Sequence, residues 1–208
     1  MLRSFGVALF CLLLCGVASG QNAATKSEQD NPGRSAVDVV RVFYTDITTY
    51  RPLGIPKGRA KKTLWLLMSK RLVRQLDTLQ SCEDDYYKHY GDYLRANKFK
   101  PTLGWLEYGL FSGPNEAASP SKFAILSSKT VGENRVDVHL RFTYKQTHCC
   151  GYPPSYEHYE GIVTVILEGG RFVIDDFTPL DLTRPIRLSD GYAECKAGQW
   201  VGRPEEPH

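Results

Sequence analysis

Apolar side chains recur along this chain with two different periods, and the change from one to the other divides it. From Ser35 onward, Ala36, Val37, Val39, Val40, Phe43, Tyr44 and Ile47 fall three and four positions apart, the spacing of one helix face. Ser35, with Asp38 three positions later, predicts an N-cap and its reciprocal acid. A turn containing Arg51, Pro52, Gly54 and Pro56 ends that helix. A second helix is predicted from about Lys61 to Leu79, where Leu64, Leu67, Met68, Leu72, Val73, Leu76 and Leu79 form one stripe. A third is predicted over about Asp84 to Asn97, from the recurrence of Tyr86, Tyr87, Tyr90, Tyr93 and Leu94. Those tyrosines read chiefly as amphipathic packing with phenol oxygens at the rim, and secondarily as a partner surface.

After Pro101 the period becomes two. Val136, Val138, Leu140, Phe142 and Tyr144 alternate with Arg135, Asp137, His139, Arg141 and Thr143, the pattern of a half-buried strand. Phe123 to Lys129 predicts the strand before it, with Gly132, Glu133 and Asn134 in the hairpin turn. Ile162 to Leu167 predicts the next strand, and Glu168, Gly169 and Gly170 another tight turn. Arg171 to Phe177 predicts the last. Helices followed by an antiparallel meander give an α+β fold in which N-terminal helices pack on one face of a curved antiparallel sheet.

Both ends fall outside this pattern. Arg3, the apolar run from Phe5 to Val17 and the small triplet Ala18, Ser19, Gly20 have the order of a cleavable secretory signal peptide over residues 1–20. That run is shorter than the roughly 20 apolar residues of a spanning helix, so a stable membrane anchor is not expected. Residues 21–34 are polar and read as a flexible leader. The domain is placed at 35–179, and residues 180–208 as a tail that wraps it and is held by Cys195. The expected location is therefore exported, periplasmic or extracellular.

Charge narrows the partners. The formal net charge of +3 falls by one when Arg3 leaves, and a nearly neutral chain lacks the basic footprint of a nucleic-acid binder. Lys57, Arg59, Lys61 and Lys62 are the densest basic cluster and read as a solvated helix start. Cys11 and Cys15 leave with the signal. Cys82, Cys149, Cys150 and Cys195 remain, an even number that predicts disulfide staples after export. Joining Cys149 to Cys150 closes a strained ring. The pairings that join Cys82 and Cys195 separately to the adjacent pair are therefore favoured.

The segment Val163 to Phe177, a strand, a Gly-Gly turn and then Arg171-Phe172-Val173-Ile174-Asp175-Asp176-Phe177, resembles the terminal hairpin of the nuclear-transport-factor-like, or cystatin-like, α+β roll. Leu103 to Phe111, with Trp105 and Tyr108, is similar to the stretch before the sheet in small exported bacterial domains that lack an assigned function. The resemblance implies a conical space between sheet and helices, which such rolls use for enzymes, ligands or protein contacts alike.

Candidate chemistry follows from that shape. A catalytic roll would place a carboxylate or histidine in the cone, and the weak candidates are Asp175, His139 and Asp137, with Tyr108 or Tyr44 as donors. Alternation puts Asp137 and His139 opposite to Val138 and Leu140, so both are expected to point outward, and Asp175 or Asp176 reads first as a local cap or ion pair. His148, Cys149, Cys150 and His158 superficially suggest zinc, but adjacent cysteines lack chelating spacing, so neither a metal nor a cofactor is expected. Cys149 to Tyr159 is the most distinctive stretch, with Pro153 and Pro154 beside Tyr152, Tyr156 and Tyr159. Its rigidity lowers the entropy lost on binding. The leading expectation is a non-enzymatic exported binding module. It would take a small apolar ligand in the cone, lined by Tyr44, Trp105 and Tyr108, or a protein at Tyr152, Tyr156 and Tyr159. A small acid–base isomerase, dehydratase or hydrolase is the alternative, with an immunity or inhibitor protein against a secreted toxin as a third.

Overall fold

The computed structural model describes residues 35–98, 110–112, 119–146, 153–180, 188 and 193–202. The expected signal peptide and leader, Trp105, Tyr108, Tyr152, Cys149 and Cys150 lie outside the described residues.

Helix α1 spans Ala36–Tyr50 and starts as its sequence requires: the Ser35 side chain accepts from the Asp38 amide, and the Asp38 side chain accepts in return from the Ser35 amide. Arg51 closes it in the left-handed region at φ 47°. The next apolar stripe is divided in two. Helix α2 spans Gly58–Trp65 and α3 spans Lys70–Asn97, so the single helix expected over Lys61 to Leu79 is interrupted at Leu66–Ser69. Tertiary pairing causes the break. The Ser69 amide donates to the Ile174 carbonyl and the Ile174 amide to the Leu67 carbonyl, each at 2.8 Å, so this backbone serves the sheet. Ser69 Oγ then caps α3, accepting from the Leu72 amide at 3.0 Å. No break follows near residue 80, and the expected third helix is the second half of α3. Leu72, Leu76, Leu79, Cys82, Tyr86 and Leu94 carry its buried face without interruption.

The second half of the chain is a four-stranded antiparallel meander, β1 (Lys122–Gly132), β2 (Arg135–Gln146), β3 (Ser155–Glu168) and β4 (Arg171–Pro179), in that spatial order. Gly169 and Gly170, at φ 59° and 77°, make the two-residue turn into β4 that favours residues tolerant of positive φ. Two bulges in β1 skip Leu126 and Val131 in the pairing with β2. These displaced side chains are 40% and 50% exposed. A third irregularity, between Thr164 and Val165, leaves Asp175 unopposed in β4.

The core lies between the inner face of this sheet and the helices. Phe43, Tyr44 and Ile47 of α1, Leu64 of α2, and Leu72, Leu76 and Leu79 of α3 meet Val138, Leu140, Phe142, Val163, Val165, Ile174 and Phe177 from the strands. Beyond the meander, β5 (Cys195–Lys196) and β6 (Gln199–Trp200) form a small hairpin. It lies on α3: the Trp200 amide donates to Asp85 Oδ2 at 2.9 Å, and the Trp200 ring meets Tyr86 edge-on at 5.0 Å. The structure is thus α+β, with helices on a four-stranded antiparallel sheet. The expected disulfide staples are not present among the described residues, where Cys82 and Cys195 are free thiols.

Candidate functional site

Strands β2 and β3 present two opposite surfaces, and the chemistry available on each is different. Inward, Val138, Leu140, Phe142 and Tyr144 are at most 2% exposed. The Tyr44 ring packs 5.1 Å from Phe142 and 5.7 Å from Phe123, and its hydroxyl donates to the Phe111 carbonyl at 2.6 Å. The Tyr144 hydroxyl donates to the Ser112 carbonyl at 2.9 Å, and its ring meets Tyr159 edge-on at 5.5 Å. Both phenol protons are therefore engaged by the backbone of residues 111 and 112. Burial pushes the Tyr44 phenol well above its ordinary pKa, and burial pushes Tyr144 up to about 12. Both are neutral anchors at ordinary pH.

The close packing extends to β4. The Phe177 ring lies 5.9 Å from Phe142 and across Gly161, where a Cβ would come within 2.5 Å of the ring edge. A shallow depression of about 180 Å³ opens beside Ile47, Pro52, Gly54, Leu110, Phe111, Ser112 and Ser119. That figure includes open solvent, and the depression leaves essentially no room for even a water-sized molecule.

The bulge in β4 sets the direction of the paired acids. Asp175 faces the α2–α3 junction, where Arg71 grips it through Nε to Oδ1 at 3.1 Å and Nη2 to Oδ2 at 2.8 Å. Ser69 Oγ also donates to Oδ1, at 2.6 Å, and Arg71 Nη2 to the Asp175 carbonyl, also at 2.6 Å. Asp175 therefore clamps β4 to the start of α3, an ion pair with residues far along the chain rather than the local cap expected of it. Asp176 is opposite Thr164, and its Oδ1 accepts from the Phe177 amide at 2.9 Å.

Outward, the same two strands carry a polar ladder. Asp137 Oδ1 accepts from Arg135 Nε and from Thr164 Oγ1, each at 3.0 Å. Arg141 donates twice to Glu160 Oε1, at 2.9 and 2.8 Å, and His139 Nε2 lies 2.8 Å from Glu160 Oε2. The Arg141 hydrogen bonds hold the Glu160 carboxyl below its usual range. Thr143 Oγ1 and His158 Nδ1 are 3.1 Å apart. At the distal end, Pro153, Pro154, Ser155, Tyr156, Glu157 and His158 are all exposed, with Tyr156 at 56%. Tyr159 is half-buried, its hydroxyl donating to Glu157 Oε2 at 3.0 Å.

Of the residues singled out beforehand, the structure brings Tyr44, Tyr144 and Tyr159 to the interior and its rim, while Asp137, His139 and Tyr156 lie on the outer surface. The basic cluster is partly neutralised by α3, through Lys57 to Glu83 at 2.5 Å and Lys61 to Asp77 at 2.8 Å. Sequence reasoning missed both pairs. Glu83 is 3% exposed, and only its helical register beside Leu79 and Tyr86 hinted at burial. Among the described residues no group of three His, Cys, Asp or Glu side chains is gathered to hold a metal ion. No described helix is long and apolar enough to cross a membrane. No protein-family model, curated protein or solved structure matches the chain.

Proposed function

We propose that this chain is an exported, non-enzymatic interaction module on a cystatin-like roll, which binds a protein partner at the distal end of the β2–β3 hairpin. One observation carries the reading: the inner face of these strands is filled by the chain's own Tyr44, Phe142, Tyr144 and Phe177, while Tyr156 stands 56% exposed on a proline-braced approach. Tyrosine supplies a large contact area with few rotatable bonds and one polar tip. The complementary surface is an apolar cleft with a hydrogen-bond acceptor for the phenol, bordered by groups that pair with Glu157 and His158. Export rests on the order of charge, apolar run and small residues in Met1–Gly20, which would leave Gln21 as the mature N-terminus.

The test is a photo-crosslinking phenylalanine derivative placed at position 156, and separately at exposed Leu53 as a control, in the chain produced in its native host. The expected result is one discrete heavier adduct from position 156 alone, lost at least tenfold when untagged wild-type protein competes but not when Tyr156→Ala competes. Equal adducts from both positions, or competition by both proteins alike, would overturn the reading.

A further inference from the structure

The C-terminal hairpin is seated on α3 by contacts that converge on two cysteines. Cys82 is fully buried on the inner stripe of α3, and Cys195, the first residue of β5, is half-buried above it. The two side chains are close enough for Cys195 to perturb the Cys82 thiol. Cys195 Sγ also reaches the Thr78 carbonyl, one helical turn before Cys82, at 3.9 Å. The surrounding contacts fix the approach. Gly198, at φ 80°, brings the β5–β6 turn so close to the helix that a Cβ there would lie 3.1 Å from Ser81 Cβ. On the other side of Cys82, Asp85 accepts from the Trp200 amide and Tyr86 packs on the Trp200 ring. Residues 78, 81, 82, 85 and 86 form one continuous strip of the helix, and the hairpin lies along it with its cysteine over Cys82.

We propose that Cys82 and Cys195 form a disulfide with each other, a redox latch that fastens the C-terminal hairpin to α3. This differs from the connectivity favoured by sequence, in which each is joined to the Cys149–Cys150 loop. It is independent of the partner surface assigned to Tyr156. The oxidant is a disulfide donor, either a small-molecule disulfide or an oxidised dithiol protein. The half-exposed Cys195 thiolate attacks the donor, forming a mixed disulfide and releasing one donor thiol. Cys82 then loses its proton and attacks Cys195 Sγ, forming the internal bond and expelling the second donor thiol. Two protein thiols and one donor disulfide become one protein disulfide and two donor thiols. Burial raises the Cys82 pKa above its ordinary value, with the neighbouring Cys195 adding to the shift. The second step is therefore the slow one, and the closed latch is shielded from reductants.

The test uses the full chain equilibrated in oxidised glutathione, digested with trypsin without reduction and mapped by mass spectrometry. The expected product joins the peptide Gln75–Lys88 to Leu188–Lys196 and weighs two hydrogens less than their sum. Reduction should lower the melting midpoint by about 10 °C. Cys195→Ser in the oxidising buffer should melt with the reduced wild type. Recovery of both cysteines as alkylatable thiols would overturn the latch. So would a crosslink from either of them to Gln146–Arg171, which contains Cys149 and Cys150.

Discussion

The inner and outer faces of β2 and β3 are built from alternate residues of the same two strands, yet they use different physics. Inside, Val138, Leu140, Phe142 and Tyr144 are sealed against α1 and β4, and the polar atoms there are satisfied by backbone carbonyls. Outside, Arg135, Asp137, His139, Arg141 and Thr143 pair across to Thr164, Glu160 and His158 in full or partial contact with solvent. The difference teaches where stability resides. The inner face cannot change without loss of packing. The outer face is held by exposed pairs that contribute little to stability.

Substitutions should separate the two faces by magnitude. Phe142→Ala removes a ring in contact with Tyr44 and Phe177 and is expected to cost about 3–5 kcal/mol in urea denaturation. Alkaline titration comes next. The raised phenol of Tyr144 contributes stability fully present below the unfolded tyrosine pKa of about 10 and lost as pH rises towards 12. This loss is about 2–3 kcal/mol for that residue alone, with Tyr44 acting in the same direction. Tyrosinate absorbance should therefore stop short of the full complement of 12 tyrosines until the circular dichroism signal is lost; complete ionisation in an intact fold would place both phenols at the surface.

Gly161→Ala pushes a methyl into the Phe177 ring and should cost about 1–3 kcal/mol, measured in the same way. Asp175→Asn weakens the clamp to Arg71 and Ser69 by about 1 kcal/mol, since Arg71 is itself half-exposed, and should leave capture at position 156 intact. Glu160→Gln on the outer ladder should shift the melting temperature less than any of these. A loss as large as that of Phe142→Ala would erase the distinction between the faces.

Much of this division was legible in the sequence wherever local chemistry determines local structure. The Ser35 and Asp38 cap, the alternation from Val136 to Tyr144 and the Gly169–Gly170 turn each state their own conformation, and the outward direction of Asp137 and His139 follows from alternation. What was not legible depends on partners far along the chain. Leu67 and Ser69 leave the helical pattern because Ile174 accepts and donates to them, and a helical stripe carries no sign of that pairing. The bulge that turns Asp175 towards Arg71 has no marker in Asp175-Asp176. Tyr44 fitted a ligand-binding position by type, but its proton belongs to the Phe111 carbonyl, a contact set only when α1 closes on the sheet. The meeting of Cys82 with Cys195 likewise depends on where a two-strand hairpin settles on a long helix.

The most direct measurement of the central claim, that the chain fills its own interior, is native mass spectrometry of the protein purified from its host. The account predicts a mass equal to that of the mature polypeptide, unchanged when the fold is opened by acid. A stoichiometric small molecule that leaves only on unfolding, and that Phe142→Leu alters while Tyr156→Ala does not, would contradict it and move recognition to the inner face.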